Sequence, residues 1–223
     1  MIRVEGLRKK LSDGFTLEID NLIIEDGERV ALIGMNGSGK STLLKLIAGE
    51  WAPDEGRILC DGAAATIGYQ PQSPFCFRGT VEKNILLGVR EAAVVDLDGL
   101  LADCGLTELR QKKVSSLSGG ERQRMCFARM LAGSWPCLLL DEPLSAVDIK
   151  TSRGLEEVLV RRCTELGTTL LMSTHLPAQA MSVSTKVLLM DGGRVIEYTD
   201  TTDFLHPQSE FGREFIAQWD IRK

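Results

Sequence analysis

The stretch GMNGSGKST, Gly34 to Thr42, sets three glycines around one lysine and three hydroxyl side chains. It matches the spacing G-x-x-x-x-G-K-[ST], in which glycines let backbone N–H groups turn inward around a phosphate. Gly34, Asn36, Gly37, Ser38 and Gly39 would form the cradle, completed by Thr42, while Lys40 reaches the β- and γ-phosphates of a nucleotide. The Ser41 hydroxyl is placed to ligate Mg²⁺. Farther along, CLLLDEP ends an apolar run in two adjacent carboxylates. Asp141 would hold Mg²⁺ through water, and Glu142 would orient or deprotonate an attacking water. A second anion site is written into VSSLSGGERQR, Val114 to Arg124, where Ser118, Gly119 and Gly120 stand directly ahead of a helical pattern. A helix start carries unpaired N–H groups and the positive end of the helix dipole, so it too meets a negative charge.

These groups need a scaffold that brings strand ends and helix starts together. ERVALIG reads as a strand running into the glycine loop, and KSTLLKLIAGE as a helix closed by Gly49. That strand–loop–helix order is the context a phosphate loop requires. IRVEGL and FTLEI alternate like an antiparallel pair, and GRILCDG and ATIGYQP like short strands. From about Ser73 to Trp135 the pattern turns helical, with TVEKNILLG, DLDGLLADCGL and GERQRMCFARMLAG carrying helical apolar spacing. CLLLDEP, TTLLMSTH and KVLLMDGGRVIEY then resume the sheet. TSRGLEEVLVRRCTELG supplies a crossover helix for parallel strands, and SEFGREFIAQWDI an amphipathic tail.

A length of 223 residues, 43% hydrophobic and 26% charged, describes one ordinary globular domain. The net charge of −5 argues against a nucleic-acid binder, which carries a basic excess. The six cysteines (Cys60, Cys76, Cys104, Cys126, Cys137 and Cys163) form no CxxC pair and sit among apolar neighbours, as reduced core residues do. MIRVEGLRKK lacks the apolar core of a signal peptide, and no apolar run reaches membrane-spanning length. The expectation is a cytosolic α/β protein.

Taken together, Gly34–Thr42, LSGGE at Leu117–Glu121, LLLDEP at Leu138–Pro143, SAVD at Ser145–Asp148 and STH at Ser173–His175 resemble the ATP-binding subunit of an ABC transporter, in that family's order and across nearly the whole chain. The resemblance implies a P-loop NTPase with a mainly parallel sheet core, an N-terminal antiparallel β subdomain and an inserted helical lobe. Residues 1–72 and 136–223 would form the core, and about 73–135 the lobe. It implies ATP and Mg²⁺ as cofactors and a partner that is a second copy or a homologous ATPase subunit. The two would pair head to tail, so that Ser118, Gly119, Gly120, Glu121 and Asp148 serve the neighbour's nucleotide. Transmembrane permease subunits, and in an importer a substrate-binding protein, complete the implied assembly, with this chain peripheral on the inner membrane face. The competing reading is an ABC ATPase that acts in assembly or regulation without moving a solute.

Further roles follow from the resemblance one residue at a time. Gln72 in GYQPQ resembles the glutamine that senses Mg²⁺ and the attacking water; Gln70 competes, but the family's glutamine follows a proline, here Pro71. His175 resembles the switch histidine at the γ-phosphate, whereas His206 has no such context. Leu11 stands near the place where the family stacks an aromatic residue on adenine; Phe15 is the nearest aromatic, and loose base selectivity is expected. Phe75 and Phe77 would form a socket for a helix of the membrane subunit, the alternative being that both are core of the lobe. RQKKVSS before the signature loop and the ending MDGGRVIEYTDTTDFLHPQ favour an importer.

Overall fold

A computed structural model describes residues 1–11, 14–60, 67–87, 89 and 96–219. The ends of several expected segments, at residues 61–62, 65–66, 88 and 220–221, lie outside the described residues.

Two sheets share the chain. The first is antiparallel: β1 (Ile2–Lys10) lies between β2 (Thr16–Ile24) and β4 (Glu55–Cys60), with Ile2 opposite both Ile24 and Cys60. Along β1, Ile2, Val4 and Leu7 turn inward, and Leu17, Ile19, Leu22 and Ile24 of β2 meet them. The second sheet runs in the order β5 (Ile67–Gln70), β6 (Cys137–Asp141), β7 (Thr169–Thr174), β3 (Arg29–Ile33), β8 (Lys186–Asp191), β9 (Arg194–Asp200). Its first four pairings are parallel and only β8–β9 is antiparallel. Strands β3 and β7 are buried on both faces, which explains their unbroken apolar runs. Helix α1 (Lys40–Ile47) follows β3 and packs its Leu43, Leu44, Leu46 and Ile47 between the two sheets.

Residues 73–135 hold no strand among the described residues. They carry α2 (Val81–Ile85), α3 (Leu97–Asp103), two short 3-10 turns and α4 (Gly119–Ala132). Among its described residues, the lobe shares its core with the sheet. Phe127, Met125 and Ala128 of α4 belong to one apolar cluster with Ile85 and Leu101 on the lobe side and Leu138, Leu140 and Met172 on the sheet side. Gly68 of β5 lets the Trp135 indole lie against the strand; a Cβ there would sit 2.7 Å from the ring. The lobe is therefore pinned to the sheet face through α4.

Helix α5 (Ile149–Leu166) begins two residues ahead of the sequence pattern, because the Asp148 side chain accepts the Thr151 N–H at 3.0 Å and caps it. Helix α6 (Pro177–Val183) was not flagged by periodicity; Pro177 at its first turn starts it. Helix α7 (Glu210–Gln218) packs Phe215 and Ile216 on Ala31, Ile33 and Ala180. Cys104, Cys126 and Cys163 are buried, and Cys60, Cys76 and Cys137 half-buried, all as free thiols. Burial pushes the thiols of Cys104, Cys126 and Cys137 up to about 12.

Candidate active site

The parallel strands end on one edge, and the candidate residues gather there. The loop after β3 turns through Gly34, Gly37 and Gly39 with φ of 154°, 79° and 106°. Glycine is required at Gly34 for space as well as for angle, while at Gly39 the angle demands it and side-chain neighbours stand close. A Cβ at Gly34 would stand 2.1 Å from the Met190 carbonyl oxygen, and one at Gly39 would press on Leu17 and Phe15 at 3.0 and 3.2 Å. The Lys40 ammonium folds back over the loop, donating to the carbonyl oxygens of Gly34 and Met35 at 2.8 and 3.0 Å. Burial lowers its pKa, an effect opposed by the carboxylates of Glu142 and Asp141. A phosphate arriving here finds a partly dehydrated cation and inward N–H groups at the start of α1.

A cavity of about 650 Å³ extends from this loop. Every residue of Gly34–Thr42 lines it, together with Gln72, Glu142, His175, Leu11 and Phe15. The Gln72 side chain donates from Nε2 to Glu142 Oε2 at 3.0 Å. His175 Nδ1 stands 3.6 Å from Glu142 Oε1. Gln70, by contrast, turns its amide into the core at 2% exposure. Pro71 ends the strand, so Gln72 leaves on the loop while Gln70 stays in the β5 ladder.

Glu142 is the one non-glycine residue with positive φ among the described residues, at 45°. Such a backbone costs on the order of 1–3 kcal/mol and persists only where neighbours over-determine it. Two side chains that the sequence reading assigned no role do so. Ser173 Oγ accepts the Glu142 N–H at 2.9 Å and donates to Asp141 Oδ1 at 2.5 Å. Gln123 of α4 donates to the Glu142 carbonyl at 3.1 Å and accepts from the Ala146 N–H at 2.5 Å. The carboxylate pair is thus held from β7 and from the helix behind the second anion loop. STH contains Ser173, so the motif itself was a signal; nothing local marks Gln123.

Ser118, Gly119, Gly120, Glu121 and Asp148 lie outside this cavity. Ser118 caps α4: its Oγ accepts the Glu121 N–H at 3.2 Å, and Glu121 Oε2 accepts the Ser118 N–H at 2.6 Å. These bonds hold the Glu121 carboxyl below its usual range, so this side chain is committed to its own helix. Asp148 is likewise held low by the Thr151 N–H at the start of α5. Two further aromatics, Phe215 and Trp219, line the cavity from α7 and the residue after it. The sequence pattern marked that tail as amphipathic but not where it docks.

The family described as ABC transporter matches residues 17–145, more than half of the chain. The chain belongs to the ABC transporter family. It is 36% identical to the sulfate/thiosulfate import ATP-binding protein CysA of Synechococcus elongatus, over 99% of this chain and 69% of that protein. It is 37% identical to the thiamine import ATP-binding protein ThiQ of Jannaschia sp., over 88% of this chain and 91% of that one. Among solved structures it resembles cbiO1 from Clostridium perfringens, part of the ABC transporter complex cbiONQ, with a TM-score of 0.76, 28% identity and 99% and 95% coverage. A bacterial Atm1-family ABC exporter with ATP bound gives a TM-score of 0.81 at 27% identity, over 98% of this chain and 41% of that one. The fold is that of an ABC ATPase nucleotide-binding domain.

The donor set fits Mg²⁺. Among the described residues no three His, Cys, Asp or Glu side chains gather to form a metal cage. Ser41 and Gln72 line the cavity, and Asp141 sits buried behind it at the end of β6. A hard cation held by a hydroxyl, an amide oxygen, water and phosphate suits those positions, with Asp141 acting through water.

Proposed function

We propose that this chain is the ATP-hydrolysing subunit of an importer of the ABC transporter family, working as a head-to-tail pair that drives separate permease subunits. The observation that carries the reading is the division of parts. Lys40, Gln72, Glu142 and His175 share one cavity, while the capped loop at Ser118 stands outside it with Ser118 and Gly119 exposed and Gly120 half-buried. A loop that cannot serve its own nucleotide is positioned to serve a neighbour's, and a symmetric pair supplies both halves twice.

In this scheme the N–H groups of Gly37, Gly39, Lys40 and Ser41 and the Lys40 ammonium bind the β- and γ-phosphates. Ser41 and Gln72, with Asp141 acting through water, would hold Mg²⁺, which would supply positive charge against the phosphates. Glu142 takes a proton from the attacking water, while Gln72 and His175 fix its carboxylate from two sides. Ser118, Gly119 and Gly120 of the second copy close on the γ-phosphate, and Asp148 crosses the interface. Loss of that phosphate removes the contact that holds the pair, and the permease subunits read the change in distance. Importer relatives at 36% and 37% identity support the direction.

The test is the Glu142→Gln variant with ATP and Mg²⁺. Hydrolysis should slow by roughly 10²–10⁴-fold, the span of a lost general base. Light scattering should show an ATP-dependent dimer, and a pull-down from solubilised native membranes should bring a multi-span protein with it. A monomer at saturating ATP would count against the pairing, and a solely soluble partner against transport.

A further inference from the structure

Helices α5 and α6 leave the site side by side: α5 starts at the Asp148 cap, and α6 starts two residues past His175. Their contact is not apolar throughout. Glu156 of α5 is buried there, and its Oε1 accepts from Ser152 Oγ and from Gln179 Nε2, each at 2.9 Å. Its Oε2 accepts from Ser182 Oγ at 2.6 Å. Ser152 and Gln179 are buried too, 3.4 Å apart, while Ser182 closes the cluster at the rim. The four residues floor a groove of about 880 Å³ that runs from Glu142 and His175 along both helices.

A buried carboxylate is a poor means of stabilising a helix contact, since apolar residues of the same volume do as well or better. Its strength is registry. Ser152 and Glu156 are one turn apart on α5, and Gln179 and Ser182 one turn apart on α6. A slip of α6 along α5 breaks the bonds from Gln179 and Ser182 together and leaves buried polar atoms unpaired.

We infer that Glu156 is a positioning residue: it locks α6 to α5 and so sets where His175 stands relative to Glu142 and Asp148. The inference rests on the ATPase reading above and deepens it. Asp148 belongs to the proposed interface and His175 to the chain's own γ-phosphate site, so the lock joins the two.

The experiment is steady-state ATP hydrolysis by the full chain, with thermal unfolding measured beside it, for Glu156→Gln, Gln179→Glu and the double variant. Misplacing a catalytic group by a fraction of an ångström should lower kcat about tenfold in each single variant, with KM for ATP held within about twofold. The double variant exchanges acceptor and donor across the contact and should regain most of the lost kcat. A lower unfolding midpoint with unchanged kcat, a loss carried by KM, or no recovery in the double variant would each overturn the inference. If Glu156→Gln does not fold, Ser182→Ala removes one donor at the rim. A lowered kcat at constant KM there supports the lock, and an unchanged kcat overturns it. A wild-type chain that hydrolyses no ATP at all would overturn the ATPase reading itself, a result distinct from the rest.

Discussion

Gln72 and Glu142 are 70 positions apart in the chain, and the amide of one donates to the carboxylate of the other at 3.0 Å. The bond joins the loop after β5 to the end of β6, and it aims Glu142 Oε2 from the side of the helical lobe. Gln72→Ala should therefore reduce hydrolysis by roughly 10–100-fold, as loss of an orienting partner does. It should also raise the Mg²⁺ concentration for half-maximal rate. A titration of ATPase rate against Mg²⁺ reads both, and an unchanged curve would remove Gln72 from the site.

Ser173 holds both carboxylate residues at once. Ser173→Ala leaves Asp141 Oδ1 and the Glu142 N–H short of a partner, at a cost of about 1–3 kcal/mol. Denaturant unfolding should show that loss, and kcat should fall with it. Wild-type stability together with a wild-type rate would mean that water replaces the hydroxyl without penalty.

Leu11 and Phe15 line the cavity, and Phe15 packs its ring toward Gly39 and Gly193; on the resemblance, a base is expected near Leu11. Leu11→Tyr should tighten ATP binding by about 1–3 kcal/mol, the range for stacking of a base on an aromatic ring. The wild-type chain should bind GTP within about tenfold of ATP, because the apolar Leu11 offers no hydrogen bond to a base edge. Calorimetry on both nucleotides checks the pair of statements; tight wild-type selectivity for ATP would show that another group grips adenine.

Phe75 and Phe77 are surface residues, 69% and 45% exposed, with rings edge to face at 4.9 Å. Their segment is pinned from behind. Arg129 donates to the Phe75 carbonyl and to Asn84, and the buried Asn84 side chain bonds both the N–H and the carbonyl of Phe77. Rigid exposed aromatics make strong contacts, and Phe75→Ala with Phe77→Ala should weaken association with the membrane partner by roughly 30-fold or more. Basal hydrolysis should stay at the wild-type level. Retention of the partner at full strength in co-purification would return the pair to plain surface.

Much of this site could be read before any coordinates. Gly34 to Thr42 was legible because each glycine answers a local need, an angle or a clearance, that only glycine meets. Gln72 was preferred to Gln70 because it follows Pro71, as the glutamine of the resembling family follows a proline; Gln72 lines the cavity and Gln70 is buried. What stayed hidden acts at a distance. Gln123 reaches Glu142 across 19 positions and Ser173 reaches it across 31, and such contacts leave no trace in periodicity. The third strand of the antiparallel sheet was visible as a strand, but its pairing with β1 depends on the whole fold. Glu142 gave no sign of its unusual backbone, since no glycine or asparagine marks the position.

That backbone has a consequence beyond the catalysis proposed for it. At φ of 45°, position 142 favours glycine, and Glu142 stands there against the preference of its own main chain. Selection for folding alone would push the position toward glycine, and selection for turnover pushes it back. A lineage that no longer needed to split ATP would be expected to surrender this glutamate early, and to fold the better for it.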